Sequence, residues 1–378
     1  MKKVLCILLA LTLLATVFAG CGASQAEPAP AETQPAAVPA ETQPAETQPA
    51  AEEVPAWKAH DISGTVVVYS TQPQVWLDVI QDAFAEAYPG VTLEFISDSL
   101  GALHTRLESE SANPQADVVF GGLGQYDGDK YQKYYQPYTS AYVDACPLVD
   151  PDGYYNYWTY TAFNCFVVNT ELLAETGVSV NSYADLLQPE LKGKIIHADP
   201  TVSSSSWRQL VSMLILHGGF EDDAAWDYVA KLIDNLDGVT TTSSSTCYKS
   251  VYEGEYVVGI TYEDAVLSLI NDGATNIEIV YPSEGNAASG TACAMVKDCP
   301  NPEGAAAVID YLCSAEFQDT LAETTQATRQ LNKDCTYENP AMVANDKLGI
   351  VETNFPELLA KTDAIKERYI ELWNAANN

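Results

Sequence analysis

Two hydrophobic periods alternate along this chain, and that alternation restricts its fold more than any other feature. Residues 65–69 (TVVVY) are a β-branched run of strand length. Beyond Pro73 the apolar residues Val75, Val79, Ile80, Ala83 and Phe84 recur at helical spacing as far as Tyr88, where Pro89-Gly90 stops the helix. Residues 91–96 then read as a strand, 100–111 as a helix with Leu103 and Leu107 on one face, and 117–120 as a third strand. Such a β-α-β-α-β series predicts a parallel sheet wrapped by helices.

A second series follows. Strands are expected at 194–197, 256–261 and 277–281, with helices at 207–216, 223–236, 246–253 and 263–271. The apolar stretch 161–169 reads as a buried strand connecting the two series. A late strand at 290–296 precedes helices at 302–313 and 317–322. The expected fold class is therefore α/β, with lobe 1 at roughly 64–160 plus part of the C-terminal region and lobe 2 at roughly 170–285. More than one crossing between the lobes would leave a cleft where a ligand binds. The tyrosine-dense segments 131–142 and 154–160 (YYNYWTY) are expected to cover the lobe connection and its surface, with one or two rings free to stack on a ligand.

The first 57 residues stand outside this pattern. Lys2 and Lys3 precede an apolar stretch, residues 4–18, that is short of the roughly 20 residues a membrane-spanning helix needs. Small residues follow at Ala19-Gly20, so residues 1–20 read as a cleavable secretion signal. Cys21, placed directly after them, resembles the lipidated cysteine of a bacterial lipobox, with Phe18 standing where that motif usually has Leu. Residues 21–57 are Ala, Pro, Glu, Thr and Gln with PAETQPA near-repeats, a semi-rigid tether. The expected location is extracytoplasmic, on a membrane reached through the lipid anchor alone.

Of 378 residues, 18 are basic and 52 acidic, a formal net charge of −34. Residues 58–378, read as one two-lobed domain, carry 16 basic and 46 acidic residues, so a net of −30 belongs to the folded part. With four arginines in the whole chain, nucleic acid is excluded as a partner, as is adsorption to anionic lipid through a basic patch. Seven cysteines lie beyond the tether, an odd number with no CxxC spacing. They read as small buried hydrophobes, and a single disulfide among them stays open.

The polar loops after the strands share one chemistry. Ser70-Thr71 follows the first strand, Ser99 precedes the second helix, Ser203 to Ser206 lead into a helix at Trp207, and residues 240–246 (TTTSSST) lead into another. Each sets hydroxyls and free N–H groups at a helix start, which suits an anion; capping alone needs only one such residue. Glu263 and Asp264 open a further helix and could cap it or meet a ligand amine or hydroxyl. No HExxH, GxSxG or GxxxxGK[ST] occurs, His60, His104, His197 and His217 lack metal-ligand spacing, and the glycine-rich FGGLGQYDG at 120–128 reads as a loop at the cleft edge. No catalytic residue, metal or cofactor is expected.

Several segments in order, VVVYST, YPGVTLEFI, SLGALHTRLESE, NPQADVVFGG, ADPTVSSSSW, YEGEYVVGITYEDA, IEIVYPSEG, NPEGAAAVIDYLCSAEFQ and ATRQLNKD, resemble bacterial ABC-transporter substrate-binding lipoproteins over residues 64–334. The branch is the one with iron(III)-, phosphonate-, sugar-phosphate- and thiamine-type members. The resemblance implies a periplasmic-binding-protein-like fold, no enzymatic activity, a monomer, and lobe closure on a small ligand that is passed to a membrane permease with its ATPase. Iron-binding members coordinate the metal through adjacent tyrosines after the VGI-type strand; this chain has Asp264-Ala265 there. The expected ligand is an organic phosphate or phosphonate, with Ser70, Thr71, Gly101, Ser204, Ser205, Ser206 and Ser245 around the anion and Tyr262 and Glu263 at the other end. Ferric iron, thiamine or a polyamine is the alternative in the same transport role, ahead of a surface adhesin or a secreted hydrolase.

Overall fold

The computed structural model describes residues 54–161 and 163–377. The expected signal segment, the lipidation cysteine Cys21 and the tether up to residue 53 lie outside the described residues. Among the described residues, ten strands and ten α-helices form two α/β lobes. The first lobe begins with β1 (Gly64–Ser70), α1 (Gln74–Ala87), β2 (Val91–Ser97), α2 (Leu100–Ser109), β3 (Val118–Gly124), β4 (Tyr135–Gln136) and β5 (Asn156–Thr161). The second contains β6 (Asn164–Asn169), α3 (Thr170–Thr176), β7 (Ile195–Ile196), α4 (Ser204–Leu216), α5 (Asp223–Leu236), α6 (Ser244–Tyr252), β8 (Val258–Tyr262), α7 (Glu263–Asn271) and β9 (Ile277–Val280). The chain returns to the first lobe for β10 (Ser289–Val296), α8 (Pro302–Cys313) and α9 (Ala315–Thr325), then ends in α10 (Phe355–Asn377) against the second.

Both sheets are mixed, where the β-α-β spacing predicts parallel ones. The first runs β2-β1-β3-β10-β4, with β5 also on β10; the second runs β7-β8-β6-β9. β1 is parallel to β2 and β3, but β10 is antiparallel to β3, β4 and β5. The physical reason is the connection: β10 arrives from β9 through a loop, with no crossover helix to bring it round parallel. Each sheet buries its own core. Val66 and Val68 of β1 meet Leu77, Ile80 and Phe84 of α1, and Phe166 and Ile260 meet Leu210, Leu214 and Leu232 in the second lobe.

Two boundaries differ from the sequence reading. Trp57, expected to end the tether, is fully buried against Tyr311 (4.4 Å between ring centroids) and Phe84 (5.5 Å), and its Nε1 donates to Glu316 Oε2 at 2.9 Å. An indole carries too much apolar surface to leave in water when a core is within reach. The YYNYWTY segment is also a core element. Most of it forms β5, and residues 155–159, with Tyr155, Tyr157 and Trp158 among them, are all buried, so both faces of this strand on β10 are covered. The FGGLG of the expected edge loop belongs to β3 itself.

The lobes are joined by three passages of chain, at residue 163 and around residues 281–288 and 332–354. They share a small core of their own: Phe163 from the first, Ala288 from the second and Leu348 from the third. Asn286 ties them with hydrogen bonds, donating from Nδ2 to Asn164 O (2.5 Å) and from N to Gly349 O (3.3 Å), and accepting at its carbonyl from Val351 N (2.9 Å).

Candidate functional site

A cavity of about 610 Å³ opens between the lobes. The first lobe contributes Thr71, Gln72, Trp76 and Gly122, the passage strands contribute Trp158, Tyr160 and Phe163, and the second lobe contributes Glu263, Asp264 and Ser268. The segment after α9, including Thr325, Thr328 and Arg329, closes the remaining side. A larger space of about 910 Å³ lies under the loop 335–347; it shares Tyr160 and Arg329 with the first, but no residue of the second sheet lines it.

The turn after β1 is shaped by its neighbour strand. Ser70 is fully buried; its hydroxyl donates to Phe120 O (3.3 Å) and accepts from Gln72 N (3.0 Å), so it fixes the turn. Thr71 and Gln72 then project into the cavity. Gly121 lies beneath Gln72 at φ +85°, where a Cβ would stand 1.7 Å from Gln72 Nε2, and Gly122 at φ +74° lies beneath Thr71. Gly101 sits in the first turn of α2, outside the cavity lining, with open space where a Cβ would be.

In the second lobe the two serine runs lie side by side at the C-terminal ends of β7 and β8. Asp199 N donates to Thr241 O (2.8 Å), which joins the loop before α4 to the loop before α6. Ser203 caps α4 by accepting from Ser206 N and bonds Ser205 (3.3 Å between hydroxyl oxygens). Ser204 is exposed, Ser205 and Ser206 are buried, and Ser206 Oγ is a buried hydroxyl without a partner among the described residues. Ser243 and Ser245 share a hydrogen bond of 2.9 Å. Tyr262 neighbours Tyr248 and Ser244, and burial pushes its phenol up to about 12. The structure thus brings Thr71 and Glu263 into one cavity, whereas Ser204, Ser205, Ser206, Ser245 and Tyr262, grouped near the ends of β7 and β8, are not among the residues that line it.

The residue that sequence reasoning missed is Arg329. Its backbone belongs to the first lobe: Gln330 bridges Thr159 of β5, and Thr159 Oγ1 donates to Arg329 O at 2.7 Å. Its side chain belongs to the second. Nε donates to Glu263 Oε2 at 2.9 Å and Nη2 to Glu263 Oε1, while Tyr281 OH donates to the same carboxylate. Nη1 donates to Val343 O (2.8 Å) and Asn345 Oδ1 (2.5 Å), and the guanidinium lies 4.8 Å from the Phe163 ring centroid. Burial alone would lower the arginine pKa, but its hydrogen bonds and charge pairing with Glu263 hold it above the ordinary value. Glu263 and Arg329 are 2% and 5% exposed, so the pair is a buried, bidentate link between lobes.

That pairing leaves Asp264 as the uncompensated charge of the cavity. Asp264 is exposed and lines the cavity, and no ion pair involves it among the described residues. Loss of hydration, with the neighbouring Glu263 charge, raises its pKa to about 6. Around it stand aromatic walls: Trp76 meets Trp158 edge-on at 5.4 Å, and Tyr160 meets Phe163 at 6.1 Å. A lone carboxylate among aromatic rings suits an ammonium group. No group of three or more His, Cys, Asp or Glu among the described residues is arranged to hold a metal ion.

A family model for bacterial extracellular solute-binding proteins matches residues 115–348. The chain is 27% identical over 319 residues to a Haemophilus influenzae protein without an assigned function, covering 82% of this chain and 90% of that one. A Salmonella typhi periplasmic protein, named as a candidate 2-aminoethylphosphonate binder, is 24% identical over 280 residues, 71% of this chain and 78% of its own. Among solved structures, the periplasmic binding protein AfuA of Actinobacillus pleuropneumoniae with fructose-6-phosphate bound superposes with a TM-score of 0.64 and 25% identity, covering 82% of this chain and 99% of that chain.

Proposed function

The chain belongs to the bacterial extracellular solute-binding proteins, and from that premise we propose that it captures a small organic phosphonate or phosphate bearing an amine, for delivery to an ABC permease and its ATPase. The observation that carries this reading is Asp264, the unpaired carboxylate in an aromatic-walled cavity between two lobes. The amine is assigned to Asp264. The anion is assigned to hydroxyls and helix starts at Thr71, Ser204 to Ser206 and Ser245, which need no arginine to hold a phosphoryl group. Glu263 acts through Arg329, joining the lobes beside the ligand. In this reading ligand bridges the lobes and favours the closed form, which the permease recognises. The protein works as a monomer outside the cytoplasm, held to the membrane by lipid on Cys21. The Salmonella relative's named ligand, an aminophosphonate, has both required ends.

Calorimetric titration with 2-aminoethylphosphonate, ethylphosphonate and putrescine tests the assignment. Removing the amine from the ligand is expected to weaken binding about ten- to a hundredfold, the worth of one charge-assisted contact. Equal affinity for ethylphosphonate would refute the role of Asp264, and preference for putrescine would replace the phosphonate with a polyamine. Full affinity in both Ser205→Ala and Ser245→Ala proteins would remove the serine loops from the anion site.

A further inference from the structure

Three thiols of the first lobe converge on two consecutive carbonyls of β5. Cys146 Sγ lies 3.6 Å from Tyr157 O and Cys313 Sγ lies 3.8 Å from the same oxygen, while Cys293 Sγ lies 3.5 Å from Asn156 O. Cys293 sits on the central strand β10 and Cys313 at the end of α8, and their side chains are in hydrogen-bond contact. All three are free thiols. Cys293 and Cys313 are buried at 0% and 5% exposure, which closes both to a bulky reagent. Cys146 is half-buried and shares with Cys313 the wall of a cavity of about 330 Å³ that opens to solvent. The family is extracellular, where thiol oxidants act.

We propose that these three cysteines form a thiol relay whose end product is a Cys293–Cys313 disulfide tying β10 to α8, with Cys146 as the entry thiol. The co-reactant is a disulfide oxidant, either a small disulfide or an extracytoplasmic dithiol oxidase. Cys146 thiolate attacks it, forming a mixed disulfide and releasing one oxidant thiol. Cys313 thiolate attacks the Cys146 sulfur and releases the second, giving Cys146–Cys313. Cys293 thiolate then attacks the Cys313 sulfur and returns Cys146 as a thiol. Two protein thiols have lost two protons and two electrons, and the oxidant disulfide has gained them. Burial pushes the Cys146 thiol up to about 12, and the hydrogen bond with Cys293, together with burial, raises the Cys313 thiol well above its ordinary value, so the relay is slow at neutral pH and quickens in base.

The test uses the full chain, reduced, then exposed under native conditions to oxidised glutathione. Remaining thiols are alkylated in denaturant and linked peptides are mapped by mass spectrometry. The expected map contains Cys293–Cys313. Cys146→Ser is expected to slow its appearance about tenfold or more, and Cys293→Ser to trap Cys146–Cys313 instead. A wild-type map with no link among the three overturns the proposal without any variant. Formation at the wild-type rate in Cys146→Ser overturns the entry role.

Discussion

At the scale of single residues, the chemistry of the cleft rests on two adjacent carboxylates with opposite circumstances. Glu263 is wholly engaged by Arg329 and Tyr281, whereas Asp264 is engaged by no ion pair among the described residues. Removing Arg329 alone would strand a buried negative charge. Arg329→Met is expected to lose about 3–5 kcal/mol in urea unfolding, and the double change with Glu263→Leu to recover most of it. An additive double mutant would show that the two side chains do not act as a pair. For Asp264, the sign follows from its raised pKa. Ionised above about pH 6 and protonated below it, the carboxylate should hold an amine ligand more tightly as pH rises through that value. Comparing Asp264→Asn with wild type isolates this term from the ligand's own titration, and an identical pH profile in the two proteins would rule it out. The sequence exposed Glu263 and Asp264 because a helix start directly after a strand is visible in the periodicity. It hid Arg329, which is 66 positions from its partner; only folding brings them together.

At the scale of elements, most strands and helices were legible because their periods are clean: α5, α7 and α8 have the bounds expected from spacing alone. The exceptions share a cause. β5 is rich in tyrosine, a residue whose hydroxyl suits surfaces and whose ring suits cores, and only its pairing with β10 decides between them. Helix α10 carries a polar composition with few apolar anchors, Leu358, Ile365 and Tyr369 being its buried ones, so its amphipathic signal is weak. The direction of β10 depends on how the passages run, which is a tertiary matter. Those passages make a further prediction. At Gly285 the backbone has φ +111°, and a Cβ would stand 2.3 Å from Gly349 O on the third passage. Gly285→Ala should cost at least about 1–3 kcal/mol, read by thermal unfolding. A variant as stable as wild type would mean that the passages separate without penalty.

At the scale of the whole molecule, charge and burial set the response to acid. His104 and His197 are buried, and loss of hydration lowers each pKa to about 4. The unfolded chain therefore binds more protons than the native one between about pH 6.5 and 4, and stability falls as pH drops through that window, by up to about 3 kcal/mol per histidine. Asp264, with its pKa raised, works in the opposite direction between its ordinary value and about 6. Asp117 and Asp127, raised by burial, act with Asp264, so the histidine contribution is read as the difference in unfolding free energy against pH between wild type and His197→Gln; the variant should flatten the curve, and an unchanged slope would reassign it. The net charge of −30 on residues 58–378 adds little to the fold itself but keeps such a domain soluble.

The burial of Trp57 gives the molecule a fixed end and a free end. Trp57 is fastened to the first core, among Phe84, Tyr88 and Tyr311. A pull along the N-terminal segment is thus borne by the first lobe as a mooring is borne by a pier. The second lobe joins that support through the three passages and the Arg329–Glu263 pair.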